Sequence, residues 1–97
     1  YYDPISGSDK SNCIMTDVWV SMGEKGNNKK KYFKNFSVNR NIISKAAKNV
    51  IFMHCLPAKR GQEVTSDVLD GKNSVVLMQA KNRMYIQQAI LIYVLKK

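Results

Sequence analysis

Two short runs hold the side chains with which this sequence could do chemistry. Thr16-Asp17-Val18-Trp19-Val20-Ser21-Met22-Gly23 offers a carboxylate, a hydroxyl and exposed backbone amides, and Phe52-Met53-His54-Cys55-Leu56-Pro57 offers an imidazole and a thiol. Together these groups would make a site for a small zwitterionic ligand. Each also has a plainer use: Asp17 as a turn cap, Cys55 as core, His54 as a hydrogen-bonded structural residue. Cys13 and Cys55 belong to no Cys-x-x-Cys pair, so neither a zinc site nor a redox motif is expected, and both read as reduced thiols of the cytoplasm.

The elements that must position these residues follow from the hydrophobic pattern. Cys13 to Trp19 is a short apolar, β-branched run and reads as a buried strand; Val50 to Leu56 reads as a second, ended by Pro57, which cannot donate to a ladder. Between them, Glu24 to Lys31 is rich in Gly, Asn and Lys and reads as a flexible connection or a frayed helix start. Ile42, Ile43, Ala46, Ala47 and Val50 form a helical stripe with Asn39 or Asn41 as N-cap and Asn49 as a stop. Glu63 to Leu69 predicts a short helix or turn ended by Asp70-Gly71, and Asn73 to Met78 a third strand. The long pattern from Gln79 to Lys97 predicts a helix with Ala80, Met84, Ala89, Ile90, Val94 and Leu95 on one side. The alternation predicts the α/β class: a partial Rossmann-like three-layer sandwich with a short parallel sheet and flanking helices. Ligands of such sheets bind beyond the carboxyl ends of the strands, where both polar clusters fall.

Composition agrees with a packed domain, with 44% hydrophobic and 24% charged residues across 97 positions. The longest apolar stretch, Ala89 to Leu95, falls far short of the roughly 20 residues that span a bilayer, so no membrane role is expected. The net charge of +9 is segmental. Residues 1 to 23 set Lys10 against Asp3, Asp9 and Asp17, whereas residues 24 to 60 hold Lys25, Lys29, Lys30, Lys31, Lys34, Arg40, Lys45, Lys48, Lys59 and Arg60 against Glu24 alone. A lysine cluster of this kind attracts polyanions, but only Tyr32, Phe33 and Phe36 accompany it and no nucleic-acid motif does, so a solvated segment is the favoured reading. The chain begins at Tyr1 without an initiator Met or a targeting signal, and it is expected to be a piece of a longer protein.

The two polar runs strongly resemble the ornithine-binding signatures of the ornithine carbamoyltransferase family. Ser37-Val38-Asn39 resembles the family's aromatic-Gln-Val-Asn segment, Arg60-Gly61-Gln62-Glu63-Val64-Thr65 follows in place, and Ala80-Lys81-Asn82-Arg83 opens the last helix. The resemblance implies transfer of a carbamoyl group from carbamoyl phosphate to the δ-amine of ornithine, giving citrulline and phosphate, with no metal or organic cofactor. It implies that Asp17 and Ser21 hold the α-amino end of ornithine and that Met22 offers a backbone amide to its carboxylate. Cys55, paired with Asp17, would sit at the attacking amine, with the Leu56 carbonyl directed to the same region. His54 and Arg83 would contact the carbamoyl group or phosphate, Arg83 through a fork suited to a developing oxyanion. The stretch after Met22 matches the family's mobile loop, which closes over ornithine.

The sequence also departs from the family. Lys81 stands where the family usually has Glu, Ser37 where it has Gln, and residues 24 to 36 are unusually basic. No Ser-x-Arg-Thr-Arg phosphate loop and no His-Pro-x-x-x-Leu-x-Asp-like segment occurs. Residues 1–97 are therefore expected to be part of an ornithine-binding domain, without the carbamoyl-phosphate-binding domain and inactive alone. A carbamoyltransferase for a diamine fits less well, because Ser21-Met22-Gly23 matches residues that read an α-amino acid. Two further readings stand beside it: a non-catalytic interaction or nucleic-acid-binding module using the lysine cluster, and self-association through an exposed sheet edge.

Overall fold

The computed structural model describes residues 1–21, 23 and 29–96. In chain order they form α1 (Pro4–Ser8), β1 (Cys13–Thr16), α2 (Lys29–Phe33), a 3-10 turn (Lys34–Phe36), α3 (Arg40–Lys45), β2 (Ile51–His54), α4 (Ser66–Leu69) and α5 (Val76–Leu95). β1 and β2 pair in parallel, with Cys13 opposite Ile51, Ile14 opposite Phe52 and Thr16 opposite His54. Parallel neighbours need a long crossover, and the segment containing α2 and α3 provides it.

Side chains alternate across the pleat, so the register sorts the residues into two faces. Phe52 is fully buried and Ile14 packs against the same cluster, which also contains Val38, Ile42, Val64, Val68, Leu69 and Val76. Burying side chains of this size stabilises by about 1.5–3 kcal/mol each, so this small cluster dominates the fold's cohesion. On the opposite face Met15 and Ile51 are exposed. A one-residue bridge between Val38 and Val64 ties the crossover to the segment after β2, through Val38 N–H to Glu63 O at 2.9 Å and Thr65 N–H to Val38 O at 3.0 Å.

The α/β class with a short parallel sheet is as the pattern predicts. α3 ends at Lys45 and not at the expected stop Asn49, since Val50 N–H turns to Ala47 O at 2.9 Å, and four other local differences have physical causes. β1 stops at Thr16 because the Asp17 side chain accepts the Val18 N–H at 2.7 Å, a local bond that competes with a ladder. α1 is an addition; Asp3 caps it by accepting from Ser6 N–H at 2.8 Å, and Pro4 occupies the first turn, where its missing donor costs nothing. The run from Asn73 to Met78 is not a strand. Only Ser74 bridges Phe52, after which Val76, Leu77 and Met78 join α5, since Leu, Met, Gln and Ala favour the helix and a short apolar run suits either state. Finally, the expected apolar stripe of α5 does not pack: Met84, Ile90, Val94 and Leu95 are exposed, as are Tyr85, Ile86, Leu91, Ile92 and Tyr93 on other sides of the helix. The lysines of α2 are exposed as expected, whereas the Gly26-Asn27-Asn28 stretch lies outside the described residues. Among those described, no helix is long and apolar enough to cross a membrane.

Asn39 is the N-cap of α3, accepting the Ile42 N–H at 3.1 Å. Asn39→Ala should cost about 1 kcal/mol and Phe52→Ala about 3–5 kcal/mol, read as falls in the urea midpoint at constant slope. Equal effects would show that the core is not organised around Phe52.

Candidate functional site

Because Thr16 lies opposite His54, the next residues leave the sheet side by side. Asp17 and Cys55 meet there: the Cys55 thiol donates to Asp17 Oδ1 at 3.0 Å. Asp17 Oδ1 also accepts the Val18 N–H. These bonds favour the carboxylate, so Asp17 is a stronger acid than usual, chiefly through the Cys55 thiol, then through Val18 N–H. The same bond pushes the Cys55 thiol up, aided by partial burial and by the negative charge of Asp17; the Arg83 guanidinium pulls it down. At neutral pH the pair therefore carries one proton on sulfur and one negative charge on oxygen.

Two further side chains set the frame. Gln79, in the first turn of α5, accepts the His54 backbone N–H through Oε1 at 3.0 Å, which docks the helix on the end of β2. Arg83 lies four residues on and so shares that helix face, which brings its charge toward Cys55. Lys81, the departure from the family pattern, places its ammonium 6.0 Å from the centre of the Tyr85 ring.

His54 is fully buried. Its Nδ1 accepts the Leu56 N–H at 2.8 Å and its Nε2 lies 3.2 Å from Glu63 Oε1, so the ring turns toward the protein and both nitrogens are engaged. Leu56 has a φ of 58°, in the left-handed region that a branched side chain seldom adopts, and its side chain packs on the core. The ring and the core hold that residue from two sides. Ser21 is exposed, four residues past Asp17, and Met22 lies outside the described residues. Trp19 stacks on Phe33 with ring centroids 6.3 Å apart, which fastens the segment after Asp17 to α2.

Of the residues the sequence singled out, Asp17 and Cys55 meet at one edge and Arg83 lies near enough to act on the thiol, whereas both ring nitrogens of His54 bond within the chain, away from the substrate contact expected of them. Sequence reasoning assigned no role to Glu63 or Gln79. Glu63 read as the acid opening a short helix, and its partner nine residues away follows no helical or strand spacing. Gln79 read as an ordinary helix former. Among the described residues no group of three or more His, Cys, Asp or Glu could hold a metal ion.

Comparisons with known proteins bear on this arrangement. Residues 1–94 match the family model for the aspartate/ornithine carbamoyltransferase, Asp/Orn binding domain. An ornithine carbamoyltransferase of Ruthia magnifica is 44% identical over 97 residues, covering 98% of this chain and 32% of its own length. Among solved structures, the Pyrococcus furiosus ornithine carbamoyltransferase has 46% identity and a TM-score of 0.85 over 93% of this chain and 29% of its own. The anabolic ornithine carbamoyltransferase of Campylobacter jejuni reaches a TM-score of 0.92 at 36% identity over 100% of this chain and 32% of its own. The chain thus spans about a third of the length of the relatives it matches.

The two shifts have opposite consequences for stability. The depressed Asp17 contributes stability that is present above its unfolded pKa and lost as pH falls through its folded value. The raised Cys55 contributes stability that is present below its unfolded pKa and lost as pH rises through its folded value. Asp17→Ala, in a Cys13→Ser background, should move the midpoint of the Cys55 alkylation-rate profile to lower pH; an unmoved midpoint would mean that the thiol does not depend on the carboxylate.

Proposed function

The chain belongs to the aspartate/ornithine carbamoyltransferase family, and from that premise we propose that it carries the ornithine side of a carbamoyltransferase site. The observation that carries the proposal is the 3.0 Å bond between Cys55 and Asp17 at the carboxyl edge of the parallel strands. A single negative charge there attracts a cationic amino group, and Arg83 stands near enough to influence the same thiol. Ser21 and the Met22 amide would read the α-amino acid end, and the Leu56 carbonyl would face the δ-amine.

In this reading the δ-nitrogen of ornithine, freed of its extra proton, attacks the carbamoyl carbon of carbamoyl phosphate. The new C–N bond forms, the C–O bond to phosphate breaks, and one proton passes from the nitrogen to the departing phosphate as citrulline is made. Arg83 would stabilise the carbonyl oxygen as charge develops on it. The 97 residues act as an amino-acid-binding part, with carbamoyl phosphate held by residues outside them; the absence of the phosphate-loop motif and the one-third coverage of relatives support this division. A reduced thiol at Cys55 suits the cytoplasm.

The test is a chimaera in which residues 1–97 replace the aligned segment of the Pyrococcus furiosus enzyme. It should form citrulline, and Asp17→Ala or Cys55→Ala should lower kcat/KM for ornithine by about 100-fold or more. The 97-residue chain alone should give none above background. A folded chimaera without citrulline formation would sink the proposal, and turnover by the chain alone would sink the division of the site.

A further inference from the structure

The residues of α2 and of the 3-10 turn that continues it, Lys29 to Phe36, take no part in the roles above, and every one of them is exposed. Lysines and aromatic residues make up all of them but Asn35. Residues 25 to 62 contain no Asp or Glu, so the stretch carries no counter-charge of its own. Among the described residues Lys30, Lys31 and Lys34 form no ion pair, whereas Arg40, further along, is held by Asp67 at 3.4 Å.

Solvation accounts for the lysines and leaves the rings unexplained. Tyr32 is 77% exposed and Phe33 and Phe36 are 41% exposed, although a lysine-rich surface segment needs no aromatic residue to stay in water. The rings also hold one another: Phe33, stacked on Trp19, meets Phe36 edge-on with centroids 6.5 Å apart. Helical spacing sorts the two kinds of side chain. Lys30, Lys31 and Lys34 fall on one side of this short coil, and Tyr32, Phe33 and Phe36 on the adjoining one.

A row of ammonium groups beside a row of open rings matches a polymer of alternating phosphates and bases. Phosphates pair with the ammonium groups and bases stack on the rings; neither contact reads a base edge, so no base-reading motif is required. A charged bilayer also attracts lysines and aromatic rings, but a helix that lies in its surface needs a long apolar face, and α2 has 5 residues.

We propose that this face is a binding surface for single-stranded nucleic acid of any sequence, with Lys30, Lys31 and Lys34 on phosphates and a base stacked on Tyr32. It is a function separate from the ornithine reading and stands without it. The two surfaces adjoin, because Trp19 lies two residues past Asp17.

The probes are fluorescein-labelled dodecamers of uridine and of thymidine, titrated with the 97-residue chain and followed by anisotropy. Lys30→Ala, Lys31→Ala and Lys34→Ala combined should weaken binding tenfold or more between about 50 and 200 mM salt and make the slope of log K on log salt shallower by about 2, the loss of three phosphate contacts. Removing the same charge elsewhere, with Lys45→Ala, Lys48→Ala and Lys72→Ala combined, should change affinity by no more than about threefold. Tyr32→Ala should weaken binding on the order of tenfold and leave the salt slope alone, since stacking releases no counterions. The side chains changed are all exposed, so the fold does not rest on them.

The ratio of the two dodecamers tells whether RNA or DNA is preferred, and binding of either with this pattern supports the proposal. Absence of binding at about 50 mM salt overturns it. So does an equal loss in the two triple variants, which makes affinity a matter of net charge, or an unchanged affinity in Tyr32→Ala, which leaves a polycation without a stacking site. Vesicles containing phosphatidylserine supply the last arm: Tyr32-dependent binding to vesicles without binding to the dodecamers assigns the face to a membrane surface and overturns the proposal.

Discussion

The parallel register of β1 and β2 is the constraint on which both the core and the site depend. With Thr16 opposite His54, Asp17 and Cys55 leave the sheet as neighbours. A slip of one residue would part them and would also turn the fully buried Phe52 to the opposite face, because strand side chains alternate. The hydrophobic energy that buries Phe52 therefore also fixes the polar pair, four residues apart in each strand from the exposed start of the sheet. Four-residue strands suffice here because the register is locked by a large aromatic and not by strand length.

A sheet of two strands leaves backbone donors at its edge, and the chain satisfies them with whatever lies next to β2. Phe52 N–H goes to Asn73 O at 2.8 Å, Val75 N–H to Phe52 O at 2.9 Å, and the Asn73 side chain donates to Val50 O at 2.8 Å. At the end of β2 and in the turn beyond it, side chains replace backbone: Gln79 takes the His54 N–H, His54 itself takes the Leu56 N–H, and Glu63 takes the Lys59 N–H. Gln79 thus takes the place of a third strand for the last residue of β2, and His54 and Glu63 satisfy the backbone donors of the turn that follows, since buried backbone donors must find partners somewhere. This is why the segment expected as a strand contributes one bridge and then a helix: the edge needs two backbone bonds near Phe52 and a glutamine one turn into α5.

How much of this was readable beforehand depended on whether the signal was local. Asp17 and Cys55 stand directly after apolar runs, so the rule that ligands bind beyond the ends of parallel strands singles them out. The Asn39 cap and the Asp70-Gly71 stop are equally local. The Asp3-Pro4 start of α1 was available in the same way but is weak without an apolar periodicity to follow it. His54 and Glu63 are different, because the sequence shows their types and not their burial: the family resemblance implies a substrate contact for the imidazole, the residue type alone a hydrogen-bonded structural role, and the structure engages both its nitrogens within the chain. The apolar residues of α5 suggested one packed side, but such residues surround the helix, and a pattern that marks every side cannot tell which one is covered.

The lowered pKa of Asp17 and the raised pKa of Cys55 are one interaction seen from its two ends. A proton placed on sulfur and shared toward oxygen makes the carboxylate a weaker base and the thiol a weaker acid at once. Arg83 acts on the thiol in the opposite sense, so the readiness of Cys55 to give up its proton reflects a contest between a hydrogen-bonded anion and a more distant cation. Excluding water strengthens both partners, but it favours the direct contact at 3.0 Å most, since a short bond gains more from a lower dielectric than a long separation does. A ligand that covers this edge would therefore tighten the proton's hold on sulfur, and a cationic amine placed against Asp17 would loosen it by competing for the same carboxylate. A neutral ligand would bring only the first of these effects.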